Sequence, residues 1–159
     1  MKIALEEAQR AFEEDEVPVG ACIIQGGQLI SVGHNRREQK QKITSHAEIE
    51  AIQKASRVLG SWRLEGCDLY VTLEPCLMCA GAIIQSRIRK LVYGAKDSKS
   101  GVAGSVLDLF NKKLFNHSVE VYSGIYEDRC SQILRQYFKK KREIGEVAEL
   151  VEGARLEIE

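Results

Sequence analysis

Apolar residues recur at helical spacing over residues 2–15, where Leu5, Ala8, Ala11 and Phe12 share one face and predict an amphipathic helix. The period then shortens. Val19 to Gln25 predicts a strand, the pair Gly26-Gly27 signals a hairpin, and a second strand follows over Gln28 to Gly33. Asn35 to Lys42 is polar and basic without periodicity, the pattern of a loop. Helical spacing returns over residues 46–59 through Ile49, Ile52, Ala55 and Leu59, and Gly60 supplies a C-terminal stop. Leu69 to Leu73 predicts a third strand. Pro75 suits the first turn of a helix, where its missing N–H costs nothing, and that helix carries Cys76 to about Ser86. Leu91 to Ala95 predicts a fourth strand.

Strand, helix and strand over residues 69–95 make a βαβ unit, which requires parallel strands and a right-handed crossover. Beyond it, Lys96 to Ser105 is polar and bears glycines, predicting a surface loop. Val106 to Phe110 suggests a short helix, Val119 to Ser123 a fifth strand, and Glu127 to about Arg142 a final helix with Ile133, Leu134, Tyr137 and Phe138 at helical spacing. The expected architecture is layered α/β: five strands with helices on both faces. After Arg142, Ile144, Val147 and Val151 can line a helix face, but Gly145 and Gly153 weaken it, leaving disorder and a loosely docked helix both open.

The chain's 159 residues suit one domain. The longest early stretch free of charged and amide side chains is Val17 to Ile24, far short of the roughly twenty residues that cross a bilayer. The N-terminus carries acids from Glu6 onward and lacks the apolar run of a signal peptide. The 23 basic and 23 acidic residues cancel, yet residues 143–159 hold six acids against Arg155 alone, which leaves residues 1–142 at +5. A basic body with an acidic tail attracts polyanions, but the same balance occurs in enzymes of small molecules. The division expected is a domain over residues 1–142 and an acidic tail over 143–159.

Five cysteines, an odd number without an export signal, argue against a disulfide framework and for a reducing compartment. Cys22, Cys67 and Cys130 sit alone among apolar residues, as small core side chains do. Cys76 and Cys79 differ. At the start of a helix their sulfurs fall on one face, where the helix dipole favours thiolates. Such a pair suits a borderline cation such as zinc, or a redox dithiol. The redox reading leaves His46 without a role. His46, at the start of its own helix, supplies a third ligand, and three protein ligands leave a tetrahedral zinc one open position for water, the pattern of a catalytic site. Two thiolates cancel the metal's charge. Glu48, two residues on, stands where a base beside that water is needed.

His-x-Glu alone recurs by chance. Joined to Pro-Cys-x-x-Cys in this order, each opening a predicted helix, it is the known signature of zinc nucleobase deaminases. The chain resembles the cytidine deaminase superfamily and, more narrowly, the bacterial tRNA-specific adenosine deaminases. The resemblance rests on Val17-Pro18-Val19-Gly20-Ala21, on His46-Ala47-Glu48-Ile49 and on Thr72 to Ala82. It also rests on Gly94-Ala95-Lys96-Asp97 through Gly104-Ser105, and on Asn116-His117; it covers about residues 3–142.

The resemblance implies a three-layer α/β/α cytidine deaminase-like fold with a five-stranded mixed sheet. It implies one zinc per subunit on His46, Cys76 and Cys79, with Glu48 as proton shuttle. Asn35 matches an asparagine that hydrogen-bonds the target nucleoside, and Val19 and the Ala47 backbone match positions lining the base pocket. The implied reaction converts wobble adenosine of a tRNA anticodon to inosine by hydrolytic attack at C6. The implied assembly is a cytoplasmic homodimer that uses neither membrane nor organic cofactor. Arg36, Arg37, Lys40, Lys42, Lys96 and Lys99 stand near the expected mouth, as phosphate contacts or as plain surface charge. Tyr137-Phe138 before Lys139 to Arg142 is either core plus a solvated helix end or an RNA contact. Two rivals share the zinc residues: a deaminase of a free base or nucleotide, and a zinc-stabilised binding module. Glu48 argues against the second, because a structural site needs no proton shuttle and closes with a fourth ligand.

Overall fold

A computed structural model describes residues 1–111 and 113–156, with side chains described through Val147 except Lys112. Its elements run α1 (Lys2–Glu13), β1 (Gly20–Gln25), β2 (Gln28–His34), α2 (Arg37–Lys40), α3 (Ala47–Leu59), β3 (Cys67–Leu73), α4 (Leu77–Gln85), β4 (Lys90–Ala95), β5 (Glu120–Tyr122) and α5 (Glu127–Leu156). The strands form one sheet in the order β2-β1-β3-β4-β5. β1 is antiparallel to β2 and β3; β3, β4 and β5 are parallel. Helices α1 and α5 pack on one face, while α3 covers β1 and β2 on the other with α4 beside it. This is the expected three-layer mixed α/β fold.

Small residues set how closely the helices sit. Ala4, Ala8 and Ala11 line the buried face of α1, and Ala47, Ala51 and Ala55 that of α3, all fully buried. Each stripe meets a glycine in the sheet. A Cβ on Gly20 would lie 2.0 Å from the Ala4 carbonyl oxygen, and one on Gly33 would lie 2.5 Å from the Ala47 carbonyl oxygen. Helix backbone therefore rests directly on strand backbone, which fixes the N-terminus of α3 over the end of β2. Ile23, Leu64, Leu69, Ile83, Ile88 and Leu91 fill the centre between the layers. Cys22, Cys67 and Cys130 are buried there, and burial pushes all three thiols above their ordinary range.

The structure departs from the expected elements in four places. The stretch expected as a loop over residues 35–42 contains the one-turn helix α2, whose second and third N–H groups find acceptors far away in sequence, on Glu16. Pro75 lies ahead of α4 rather than in its first turn, because Cys76 is extended and pairs with Gly101 while the Pro75 carbonyl accepts the Val102 N–H at 3.0 Å. That pairing buries Gly101, Val102 and Ala103, so the segment 96–105 is only partly a surface loop. No helix forms over residues 106–110. There the Asp108 carboxylate accepts the N–H groups of Phe110 and Asn111, competing with helical bonding. Of the two states left open for the segment after Arg142, the helix is the one that forms: α5 continues to Leu156. Gly145 costs a helix about 1 kcal/mol, and the helix formers around it tolerate that. Residues 157–159 of the acidic tail lie outside the described residues.

The aromatic pair divides. Tyr137 is buried, edge-on to Phe12 at 5.9 Å, and its hydroxyl donates to the Asp15 carbonyl at 3.0 Å; Phe138 is half exposed. Among the described residues no helix is long and apolar enough to cross a membrane.

Candidate active site

Two helix N-termini converge at the ends of β1 and β3. His46 caps α3 and Cys76 caps α4, both with extended backbone, and Cys79 lies one turn into α4. His46 Nδ1 stands 3.7 Å from Cys76 Sγ and 3.6 Å from Cys79 Sγ. Bonds of about 2.3 Å to sulfur and 2.0–2.1 Å to nitrogen, at tetrahedral angles, require an N···S separation of about 3.6 Å. The trio thus has the spacing of three ligands around one metal ion. Among the described residues it is the only group of at least three His, Cys, Asp or Glu side chains close enough to do so.

The electrostatics of the metal-free trio favour the same role. A hydrogen bond from Cys79, aided by His46, holds the Cys76 thiol down at about 4 against the opposing effect of burial. The same bond, with burial and Glu48, pushes the Cys79 thiol up. Hydrogen bonding to Cys76 raises His46. The thiol that is held down is thus the one most ready to give up its proton to a cation.

Beside the trio opens a cavity of about 160 Å³, the scale of a single base rather than of a folded polymer. Val19, Asn35, His46, Ala47, Glu48 and Cys76 all line it. Cys79 is wholly buried beneath. Glu48 is 4% exposed, and burial pushes its carboxyl up to about 7. A carboxyl titrating near neutrality can both take and return a proton. Asn35 is held by its neighbours: its amide donates to the Val17 carbonyl at 3.2 Å, and its Oδ1 accepts the Arg37 N–H at 3.3 Å.

The basic residues divide. Arg37 reaches the cavity. Lys40 instead pairs with Glu50 at 2.7 Å, and Arg36 turns to Gln39 and Glu14. Five further lining residues, Val17, Leu73, Glu74, Asp97 and Ser100, are not among the site residues expected from the sequence. Glu74 and Asp97 stand inside the fragments that carry the resemblance, but no spacing rule marks either one; only the folded loops bring them to the cavity.

Comparison with known proteins follows the same lines. The sequence pattern of the MafB19-like deaminase family matches residues 1–142. The tRNA-specific adenosine deaminase of Bacillus subtilis is 47% identical over 142 residues, covering 89% of this chain and 88% of that protein. Its counterpart in Agrobacterium fabrum is 48% identical over 142 residues, covering 89% and 93%. A solved structure from studies of A-to-I editing by tRNA:A34 deaminases at the wobble position superposes with a TM-score of 0.81 at 47% identity, over 84% of this chain and 97% of that one. A guanine deaminase from Nitrosomonas europaea superposes at 0.71 with 28% identity, over 84% and 80%.

Proposed function

The chain belongs to the MafB19-like deaminase family, and from that premise we propose that it hydrolyses adenosine to inosine at the wobble position of a tRNA anticodon, releasing ammonia. The observation that carries this reading is the placement of Glu48, a buried carboxyl, on a base-sized cavity against the His46–Cys76–Cys79 trio. Identity near one-half to tRNA-specific adenosine deaminases selects the substrate.

His46, Cys76 and Cys79 hold one zinc per subunit. Zinc, when bound, supplies Lewis-acid activation of a water at neutral pH. Glu48 accepts a proton from the attacking water and delivers it to adenine N1. Once the C6–O bond has formed, Glu48 takes the remaining proton from the C6 hydroxyl and passes it to the amine, so that the C6–N6 bond breaks, the carbonyl forms and ammonia leaves. Asn35 hydrogen-bonds the nucleoside, while Val19 and the Ala47 backbone bound the base. Arg37 meets a phosphate at the mouth. The narrow cavity admits only a base turned out of its strand, and an anticodon loop offers unpaired bases at little cost.

Residues 1–142 form the deaminase domain, and an acidic extension follows, in which α5 continues to Leu156. The working unit is a homodimer, consistent with the exposed apolar side chains of Ile43, Leu77 and Leu107. A tRNA substrate places it in the cytoplasm, and the hydrolysis calls for no organic cofactor.

The test is inosine formation by zinc-quantified protein on an anticodon stem-loop with adenosine at the wobble position, beside free adenosine, guanine and cytosine. Turnover of the stem-loop alone is expected. Comparable turnover of a free base would move the assignment to the small-molecule deaminases.

A further inference from the structure

The reaction uses one buried glutamate and leaves two others unexplained. Glu16 is 1% exposed and Glu74 2%. Among the described residues neither forms an ion pair. A buried carboxylate without a cation is costly unless donors fill its lone pairs. Here they do, and the donors are largely main-chain N–H groups of the segments that wall the cavity. Glu16 accepts the N–H of Gln39 at 2.6 Å, the N–H of Glu38 at 3.2 Å and the Asn35 amide at 3.5 Å. Glu74 accepts the N–H groups of Ala103 at 2.9 Å, Ser105 at 3.0 Å and Asp97 at 3.0 Å, and also the Ser105 hydroxyl.

We propose that Glu16 and Glu74 are positioning residues, each pinning one wall of the cavity to the scaffold through main-chain N–H groups. Glu16 sets the wall bearing Asn35 and Arg37. Glu74 sets the wall bearing Asp97 and Ser100, and with it Cys76. Both anchors are rigid. Glu16 follows Asp15, whose carbonyl accepts the Tyr137 hydroxyl of α5. Glu74 sits between β3 and Pro75, and the loop closes so tightly that a Cβ on Gly101 would lie 2.4 Å from Glu74 Cδ. Gly101 pairs with Cys76, so this wall and a metal ligand share one support. Neither glutamate acts on substrate. An ionised carboxylate offers about four acceptor sites, and Glu74 has four bonds in place.

The kinetic arm of this inference rests on the deaminase reading; the other two arms do not. Glu16→Gln and Glu74→Gln keep shape but turn one acceptor oxygen into a donor facing other donors. Full-length zinc protein is compared by hydrogen exchange, by stem-loop kinetics per bound metal, and by the visible spectrum after cobalt replaces zinc. In Glu16→Gln, exchange quickens within residues 36–41, KM rises about tenfold, and kcat and the cobalt spectrum hold. In Glu74→Gln, exchange quickens within residues 97–105, the cobalt–thiolate bands shift, and kcat falls about a hundredfold.

Equal losses of kcat in both variants, with KM and spectra unchanged, would mean plain destabilisation and overturn the proposal. Should either variant fail to fold, Glu16→Asp and Ser105→Ala are the milder substitutes, expected to move the same quantities about threefold; no change in them overturns it too. If the wild type makes no inosine, the function assignment fails. Exchange and cobalt spectra then decide alone: local changes support the clamps, and unchanged protection refutes them.

Discussion

Glu48 and Glu74 line the same cavity, from the first turn of α3 and from the end of β3, and both are nearly closed to solvent. Their surroundings differ. Glu74 takes three main-chain N–H groups and a hydroxyl. Glu48 has burial as its dominant influence, which drives its carboxyl up to about 7. Burial alone therefore does not decide what a carboxyl does. What each carboxyl faces matters as well: Glu74 is tied to four donors of one loop, while Glu48 faces the cavity beside the His46–Cys76–Cys79 trio, where a carboxyl can move protons. Glu50 is a third case. Burial works to raise it, but the pair with Lys40 outweighs burial and holds it below the usual carboxylate range.

The contrast breaks most visibly at Glu48. Glu48→Ala should keep the metal and the fold while lowering turnover by at least about a thousandfold, read as inosine formed per bound zinc. Retained turnover would show that this buried carboxyl is not the proton carrier. Cys79→Ala removes a ligand rather than the base, so both metal and activity should go. Elemental analysis should find well under one zinc per chain, and a full equivalent would contradict the ligand assignment.

Gly33→Ala disturbs Glu48 without touching it. The new Cβ meets the Ala47 carbonyl and must push α3 away from β2. Thermal unfolding should register a loss of about 1–3 kcal/mol, with turnover per folded molecule lowered as well. The smallest effect belongs to the third glutamate. Because the Glu50 carboxyl lies lower in the folded chain than in the unfolded one, its contribution is present above the ordinary carboxylate range and fades as pH falls through the folded value. Glu50→Gln should cost about 1 kcal/mol at pH 7 and nearly nothing at acid pH. A loss independent of pH would place the effect in packing rather than in the ion pair.

Legibility in the sequence follows the range of the interaction. The long elements were readable because their periodicity is local: α1, β1, β2, α3 and the βαβ unit all lie within about three residues of their expected ends at each terminus. The metal trio was readable for a related reason, since Cys76 and Cys79 share one turn and His46 with Glu48 shares another. The failures lie where the partner is distant. The one-turn helix α2 has no periodicity and depends on a carboxylate 22 and 23 residues upstream. The burial of residues 101–103 depends on pairing with Cys76 across the chain.

By itself, then, the sequence determined the long elements, which residue types can bind a metal, and that a carboxylate stands two positions from the histidine. The tertiary structure decided which carboxyls are anchors and which one faces the trio across the cavity. That distinction depends on how many N–H groups from remote loops converge on each oxygen, and on a sheet whose glycines let α3 descend until His46 meets both sulfurs. Local spacing can place a carboxylate on a helix. Only packing sets how much water and how many donors it keeps, and those two quantities set its proton affinity.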